Sequence, residues 1–184
     1  PCNQTVLLTL RRLVPRMGVD TLIEAMPHLL DRKSDLILVV GSDGPLRLTL
    51  ESRVETLGIR DHIRFSGFIS YEDLPLYYQA ADLFVMPTKA LEGFGLPTIE
   101  SMACGTPTLG TDIGSNTEII GKFDPRLLIP EATPEGISKT VLSAFDLCAS
   151  DDRIRTRCRQ YVEERFNWDH LIDTLEETYR SLKD

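Results

Sequence analysis

Glu92 and Glu100 flank a glycine-bearing loop, with seven residues between them. Gly93, Phe94, Gly95, Leu96 and Pro97 follow the first acid. Gly93 and Gly95 are expected to allow positive φ and close backbone approach. A helix starting here would leave its first N–H groups unpaired, with the positive dipole end behind them. Such a loop suits a phosphate. A carboxylate repels phosphate but accepts hydrogen bonds well from a vicinal diol. One acid on each side of a phosphate cradle therefore suggests a sugar at each end, a nucleoside on one and a hexose on the other. The spacing by itself also fits two solvated charges, Glu100 on a helix and Glu92 in a loop.

A strand and a helix must hold these groups in place. Leu83, Phe84, Val85 and Met86 form a short apolar run that reads as a buried strand. Residues 98–104 have helical composition, with Gly105 and Pro107 as stop signals. Pro97 fits a first helical turn, where a missing N–H costs nothing. The same alternation runs through the chain. Further strands are expected at residues 5–10, 36–40, 63–68, 108–111 and 127–130. Helices are expected at 20–30, 45–58, 70–82, 134–149, 151–165 and 167–182. Pro27 is expected to end or kink the first of these early. Ser70 to Asp73 reads as a capped helix start, and Tyr77 and Tyr78 as packing residues.

Alternating apolar strands and amphipathic helices predict an α/β, Rossmann-like, doubly wound parallel sheet in one domain over residues 1–184. Ligands of such sheets bind outside the carboxyl ends of the strands. Arg12, Gly41, Glu92 to Gly95 and Gly114 all fall just after expected strands. That edge is where a site is expected. Gly41 to Gly44 is too short for a dinucleotide fingerprint.

Composition narrows the partners. At 184 residues the chain suits one domain with a substantial core. Hydrophobic residues at 42% and charged residues at 26% are ordinary for a globular protein. A net charge of −8 argues against nucleic acid, because binding its backbone relies on clustered Lys and Arg. It argues weakly against an anionic membrane surface too. Cys2, Cys104, Cys148 and Cys158 show neither metal-ligand spacing nor a disulfide framework and read as reduced thiols. His28, His62 and His170 are far apart, so no metal site is expected. With no signal-peptide pattern or membrane-spanning apolar run legible, a cytoplasmic location is expected. The start without Met, close to the first strand, is what an excised domain is expected to look like.

The run Glu92-Gly93-Phe94-Gly95-Leu96-Pro97, continued by Glu100-Ser101-Met102-Ala103-Cys104-Gly105-Thr106-Pro107, resembles the E-x(7)-E signature of the group 1 (family 4) retaining glycosyltransferases. The resemblance extends over nearly the whole chain. It implies a GT-B fold, in which two Rossmann-like domains face each other and the C-terminal one holds most of the donor. This chain is similar to that C-terminal domain. Residues 11–18 resemble the family's G-R-L…K-G loop, whose Arg and Lys hold the donor diphosphate. Arg12 falls on the Arg, Met17 falls on the Lys, and Arg11 replaces the Gly. Residues 112–120 resemble D-x-G-G-x-x-E-I-I, with Ser115 for the second Gly. The backbone at Gly114 and Ser115 is then expected to line a sugar pocket, and Glu118 to brace that loop. Gly41 resembles a glycine near the diphosphate. The helix at about 167–183 matches the segment that crosses towards the N-terminal domain, with Trp168 packed as its anchor.

On this resemblance the donor is a nucleotide-diphospho-sugar, and the acceptor sits on an N-terminal domain outside this chain. Neither cofactor nor metal is implied; membrane association of a longer chain stays open. Glu100 would hold the ribose diol and Glu92 the hydroxyls of the donor sugar. The N–H groups of Gly93, Phe94 and Gly95, with Leu96 following, would orient sugar and phosphates. Arg12 would stabilise the leaving diphosphate as its charge develops. Met17 removes one cation from that site unless Arg11 or Arg16 reaches in, and Arg does not simply replace Lys. The competing reading is a non-catalytic nucleotide-sugar binding module. A nicotinamide dehydrogenase is disfavoured, since no G-x-G-x-x-G follows the first strand.

Overall fold

The computed structural model describes residues 4–182; Cys2 and the side chain of His170 lie outside the described residues. Among the described residues, six strands form one sheet: β1 (Thr5–Leu10), β2 (Leu36–Gly41), β3 (Ile63–Gly67), β4 (Leu83–Met86), β5 (Thr108–Thr111) and β6 (Leu128–Ile129). Their order is β3-β2-β1-β4-β5-β6, and every neighbouring pair is parallel. Parallel neighbours need long crossovers. The chain supplies them as α1 (Val19–Leu30), α2 (Arg47–Thr56), α3 (Leu74–Ala80), α4 (Leu96–Ala103) and α5 (Ser115–Phe123). Then follow α6 (Pro134–Ser150), α7 (Ile154–Arg165) and α8 (Trp168–Ser181). The doubly wound sheet read from the sequence is therefore the fold.

Both faces of the sheet are covered, which is why its strands read as continuous apolar runs. Leu7, Leu83 and Val85 join the larger core with Leu22 and Met26 of α1 and Val141 of α6. Their strand neighbours Leu8, Phe84 and Met86 point the other way, into a smaller core with Tyr78 of α3. There the Tyr78 and Phe84 rings meet edge to face at 5.3 Å, a favoured aromatic arrangement.

Local chemistry moved some boundaries. Helix α1 passes Pro27 and reaches Leu30, because the proline falls in the last turn, where Asp31 N–H still donates to the Pro27 carbonyl at 3.1 Å. Helix α3 starts at Leu74 rather than Ser70. Residues 70–73 form a turn closed by Asp73 N–H on the Ser70 hydroxyl at 3.2 Å, and Pro75 falls in the first helical turn, where its missing N–H costs nothing. Helix α7 likewise starts only after the Asp151 side chain has accepted from Arg153 N–H at 3.1 Å.

Helix α8 is capped by Asn167, whose side chain accepts from Asp169 N–H at 2.9 Å. Trp168 is 74% exposed, so it is no packing anchor within this domain. Leu171, Ile172, Leu175 and Tyr179 are exposed beside it. They recur at helical spacing and make an uncovered apolar stripe. Among the described residues, no helix is long and apolar enough to cross a membrane.

Candidate functional site

Strand order reverses between β1 and β4, and open α/β sheets place ligands at that switch point, beyond the carboxyl ends. A cavity of about 360 Å³ opens beside it, lined by Leu10 at the end of β1, Ser42 after β2, Phe68 and Tyr71 after β3, and Leu96 and Glu100 of α4. Phe68 and Tyr71 are both exposed and give the cavity broad apolar walls. A larger hollow of about 410 Å³ lies at the opposite, amino-terminal edge, among Thr5, Lys33, Asp82 and Arg155. Its charges have both signs, and it lies away from the carboxyl ends of the strands, where ligands of such sheets bind.

Of the two glycines expected to shape the loop after β4, Gly95 does and Gly93 does not, while Gly114 closes on the loop from the start of α5. Gly95 has φ 73° and caps α4, which begins at Leu96 with Pro97 in its first turn. A Cβ on Gly95 would lie 2.9 Å from Ser115 Oγ. Gly93, in contrast, keeps φ outside the left-handed region, and a Cβ there would meet nothing. The strained residue is Leu91, at φ 58°, whose carbonyl accepts from Arg16 at 3.1 Å. Gly114, at φ 59° and ψ −134°, caps α5. A Cβ on it would run into the Glu92 carbonyl oxygen, so only glycine lets the α4 and α5 starts close on each other. Gly41 is also a packing glycine, buried under Leu10 and Ile69.

Neighbouring side chains lock this arrangement. Buried Asn116 of α5 accepts from Thr98 of α4 at 3.2 Å. The loop after β5 is braced by Thr117, whose hydroxyl donates to Asp112 at 2.6 Å. Glu118, expected in that role, is exposed instead and lines a separate hollow with Phe94 and Phe166.

Each acid has a partner that sequence reasoning did not assign. Glu100 is half-buried on α4, and its Oε2 accepts from the Tyr78 hydroxyl at 2.9 Å. Burial and the Glu100 charge push Tyr78 above its usual pKa, so its hydroxyl remains a donor. No spacing rule joins α3 to α4, and Tyr78 read only as core.

Glu92 is paired with Arg11, and both side chains are more than nine-tenths buried. Arg11 Nη2 also meets Thr88 Oγ1 at 3.2 Å and the Met17 thioether at 2.7 Å, while Nη1 faces Met86 Sδ at 3.6 Å. The Thr88 hydroxyl donates in turn to Glu92 Oε2 at 2.8 Å. Burial pulls the Arg11 guanidinium below its usual pKa, and Glu92 pushes it back up. Arg12 is exposed at the head of the loop after β1. The expected groups thus gather at one edge, Arg11 with them. Among the described residues, no cluster of His, Cys, Asp or Glu could hold a metal ion.

Comparison with known proteins identifies the family and the fold. The chain is 28% identical over 187 residues to the GDP-mannose-dependent alpha-(1-6)-phosphatidylinositol monomannoside mannosyltransferase of Mycobacterium tuberculosis, covering 97% of the chain and 48% of the relative. It is 36% identical over 178 residues to the mannosylfructose-phosphate synthase of Agrobacterium fabrum, covering 92% of the chain and 39% of that relative. The sucrose-phosphate synthase structure from Thermosynechococcus elongatus superposes with a TM-score of 0.83 at 29% identity, over 99% of this chain and 46% of that one. The chain spans about half the length of the curated relatives it matches. The family model for "Glycosyl transferases group 1" matches residues 1–165, and the chain belongs to that family, as one Rossmann-like domain of a GT-B fold.

Proposed function

We propose that this domain binds the nucleotide-diphospho-sugar donor of a glycosyltransferase that transfers the sugar with retained configuration to an acceptor held by a second domain. The observation that carries the reading is the placement of Glu92 and Glu100 on either side of the α4 start, with the 360 Å³ cavity against Glu100. The nucleoside enters that cavity, its base against Phe68 and Tyr71. Its ribose diol donates to Glu100, which Tyr78 holds from behind. The diphosphate lies over the backbone of Gly95 and Leu96 at the start of α4, where the helix dipole favours negative charge. Arg12 faces it from the loop after β1 and stabilises the charge that grows as the sugar leaves. The sugar lies beyond Gly95, towards Glu92 and the backbone at Gly114.

Two relatives carry names that fit such a donor: one is called GDP-mannose-dependent, and the other a mannosylfructose-phosphate synthase. Base and sugar are open, because the cavity walls are apolar faces rather than base-edge readers. A thermal-shift screen of nucleoside diphosphates and their sugars tests the reading, since a ligand of the folded state raises the melting point by mass action. No shift with any of them at millimolar concentration would exclude it.

Met17 at the position of the resembled Lys favours a second reading, a domain that binds donor without turning it over. Glycosyl transfer assayed on the two-domain chain separates the two. Donor binding without product, with suitable acceptors present, selects the second.

A further inference from the structure

We propose that Arg11 is the positioning residue for Glu92, a cation at the end of β1 seated against Met17. The inference rests on the donor reading above, in which Glu92 meets the sugar, and adds a residue to it.

Glu92 lies in a loop and would swing freely were it not held at two points. Its backbone is wedged against Gly114, where no Cβ would fit. Its carboxylate is held by Arg11 and Thr88, which also touch each other at 3.2 Å. Arg11 leaves the sheet directly after Leu10, at the strand where the order reverses. The strand end fixes its backbone, and burial against Thr88, Met17 and Met86 holds the guanidinium. Its planar fork spans Glu92, Thr88 and two thioethers, a reach that a single ammonium lacks.

Position 17 explains why the cation can sit here. The Met17 sulfur touches Arg11 Nη2 at 2.7 Å, so the tips of side chains 11 and 17 compete for one space beside Glu92. A Lys at 17 would bring a second positive charge into it. A thioether is neutral and polarisable, and it seats against the guanidinium without repelling it. Besides Glu92, the ionisable side chains near Arg11 are Arg16 and the protonated Tyr78. Arg16 is turned to the Leu91 carbonyl and Tyr78 to Glu100, so neither replaces Arg11 at the carboxylate.

The test uses the affinity increment that the sugar adds. Calorimetry with GDP against GDP-mannose, and with UDP against UDP-glucose, gives for each pair a ratio of dissociation constants that depends on Glu92. In Arg11→Gly the ratio is expected to fall about tenfold, as for loss of one charged hydrogen bond, with the affinity for the bare diphosphate changed much less. Arg11→Gly/Met17→Lys returns a cation to the same space and is expected to recover most of the ratio. Should Arg11→Gly fail to fold, recovery of both fold and ratio in the double variant carries the same meaning. An unchanged ratio in Arg11→Gly overturns the proposal, and so does a double variant that folds without recovering it. Absence of nucleotide binding by the unaltered chain overturns the donor reading and this inference together.

Discussion

The Tyr78 hydroxyl, on a ring buried between α3 and β4, donates to Glu100 across to α4 at 2.9 Å. A core side chain thereby aims one end of the candidate site. The tyrosine keeps its proton, so the bond has one direction, and Glu100 keeps its remaining acceptor capacity for a ligand.

Glu100→Gln is expected to weaken nucleoside diphosphate binding by roughly 1–3 kcal/mol, because an amide is a poorer acceptor for a diol than a carboxylate. Tyr78→Phe is expected to cost about 1 kcal/mol in the same titration, through looser placement of Glu100. Ribose and deoxyribose forms of the preferred nucleotide should differ for the unaltered chain and converge in Glu100→Gln. Equal affinity for both forms in the unaltered chain removes Glu100 from the ribose role.

Gly114→Ala and Gly93→Ala should separate cleanly in thermal unfolding. Gly114 sits at φ 59° and ψ −134° against the Glu92 carbonyl, and such backbone costs of order 1–3 kcal/mol for other residues. With the clash added, a melting-point drop of about 4 °C or more is expected for a domain of this size. Gly93 has open space and an ordinary φ. Its alanine variant should melt within a degree or so of the parent. A Gly114→Ala protein that melts with the parent contradicts the packing described.

Asp124 offers a pH test remote from the site. It is 4% exposed and caps a short turn, accepting from Arg126 Nη2 at 2.7 Å, Nε at 2.9 Å and N–H at 3.1 Å. These bonds hold its carboxyl below the usual pKa. A depressed acid stabilises the fold above its unfolded pKa, about 3.9, and loses that contribution as pH falls through the folded value. The melting-point gap between parent and Asp124→Asn should be widest near neutral pH and narrow as pH falls below the unfolded value of about 3.9. A gap that stays constant with pH would place the effect in packing.

The chain alone should bind donor and transfer nothing. The site lies on one edge of a single sheet, open to solvent, while α8 presents Leu171, Ile172, Leu175 and Tyr179 uncovered. Transfer needs the acceptor hydroxyl aligned and water excluded, which a closing second domain provides. Calorimetry checks the binding, and product analysis with candidate acceptors checks the transfer. Robust transfer by residues 1–184 would place an acceptor site within this domain or across an oligomer.

The amino-acid sequence by itself determined the elements and their edge. Buried strands such as Thr5–Leu10 and Leu83–Met86 declare themselves by unbroken apolar residues, and glycine or proline punctuates the turns. Local pattern therefore carried β1 to β5 almost to the residue, and the glycine-bearing loop between Glu92 and Glu100. What it could not carry is pairing between distant segments. Arg11 and Glu92 are 81 residues apart, and Tyr78 and Glu100 are 22 apart on different helices. Neither pair has a period to betray it. Gly93 and Gly95 are alike in sequence, yet of the two only Gly95 takes a positive φ, with α5 packed against it. Trp168 read as an anchor because a lone large aromatic is normally buried, but burial depends on what packs opposite, and within this domain nothing covers it. Tertiary structure alone decided these partners, because packing sets contacts by distance in space and takes no account of distance along the chain.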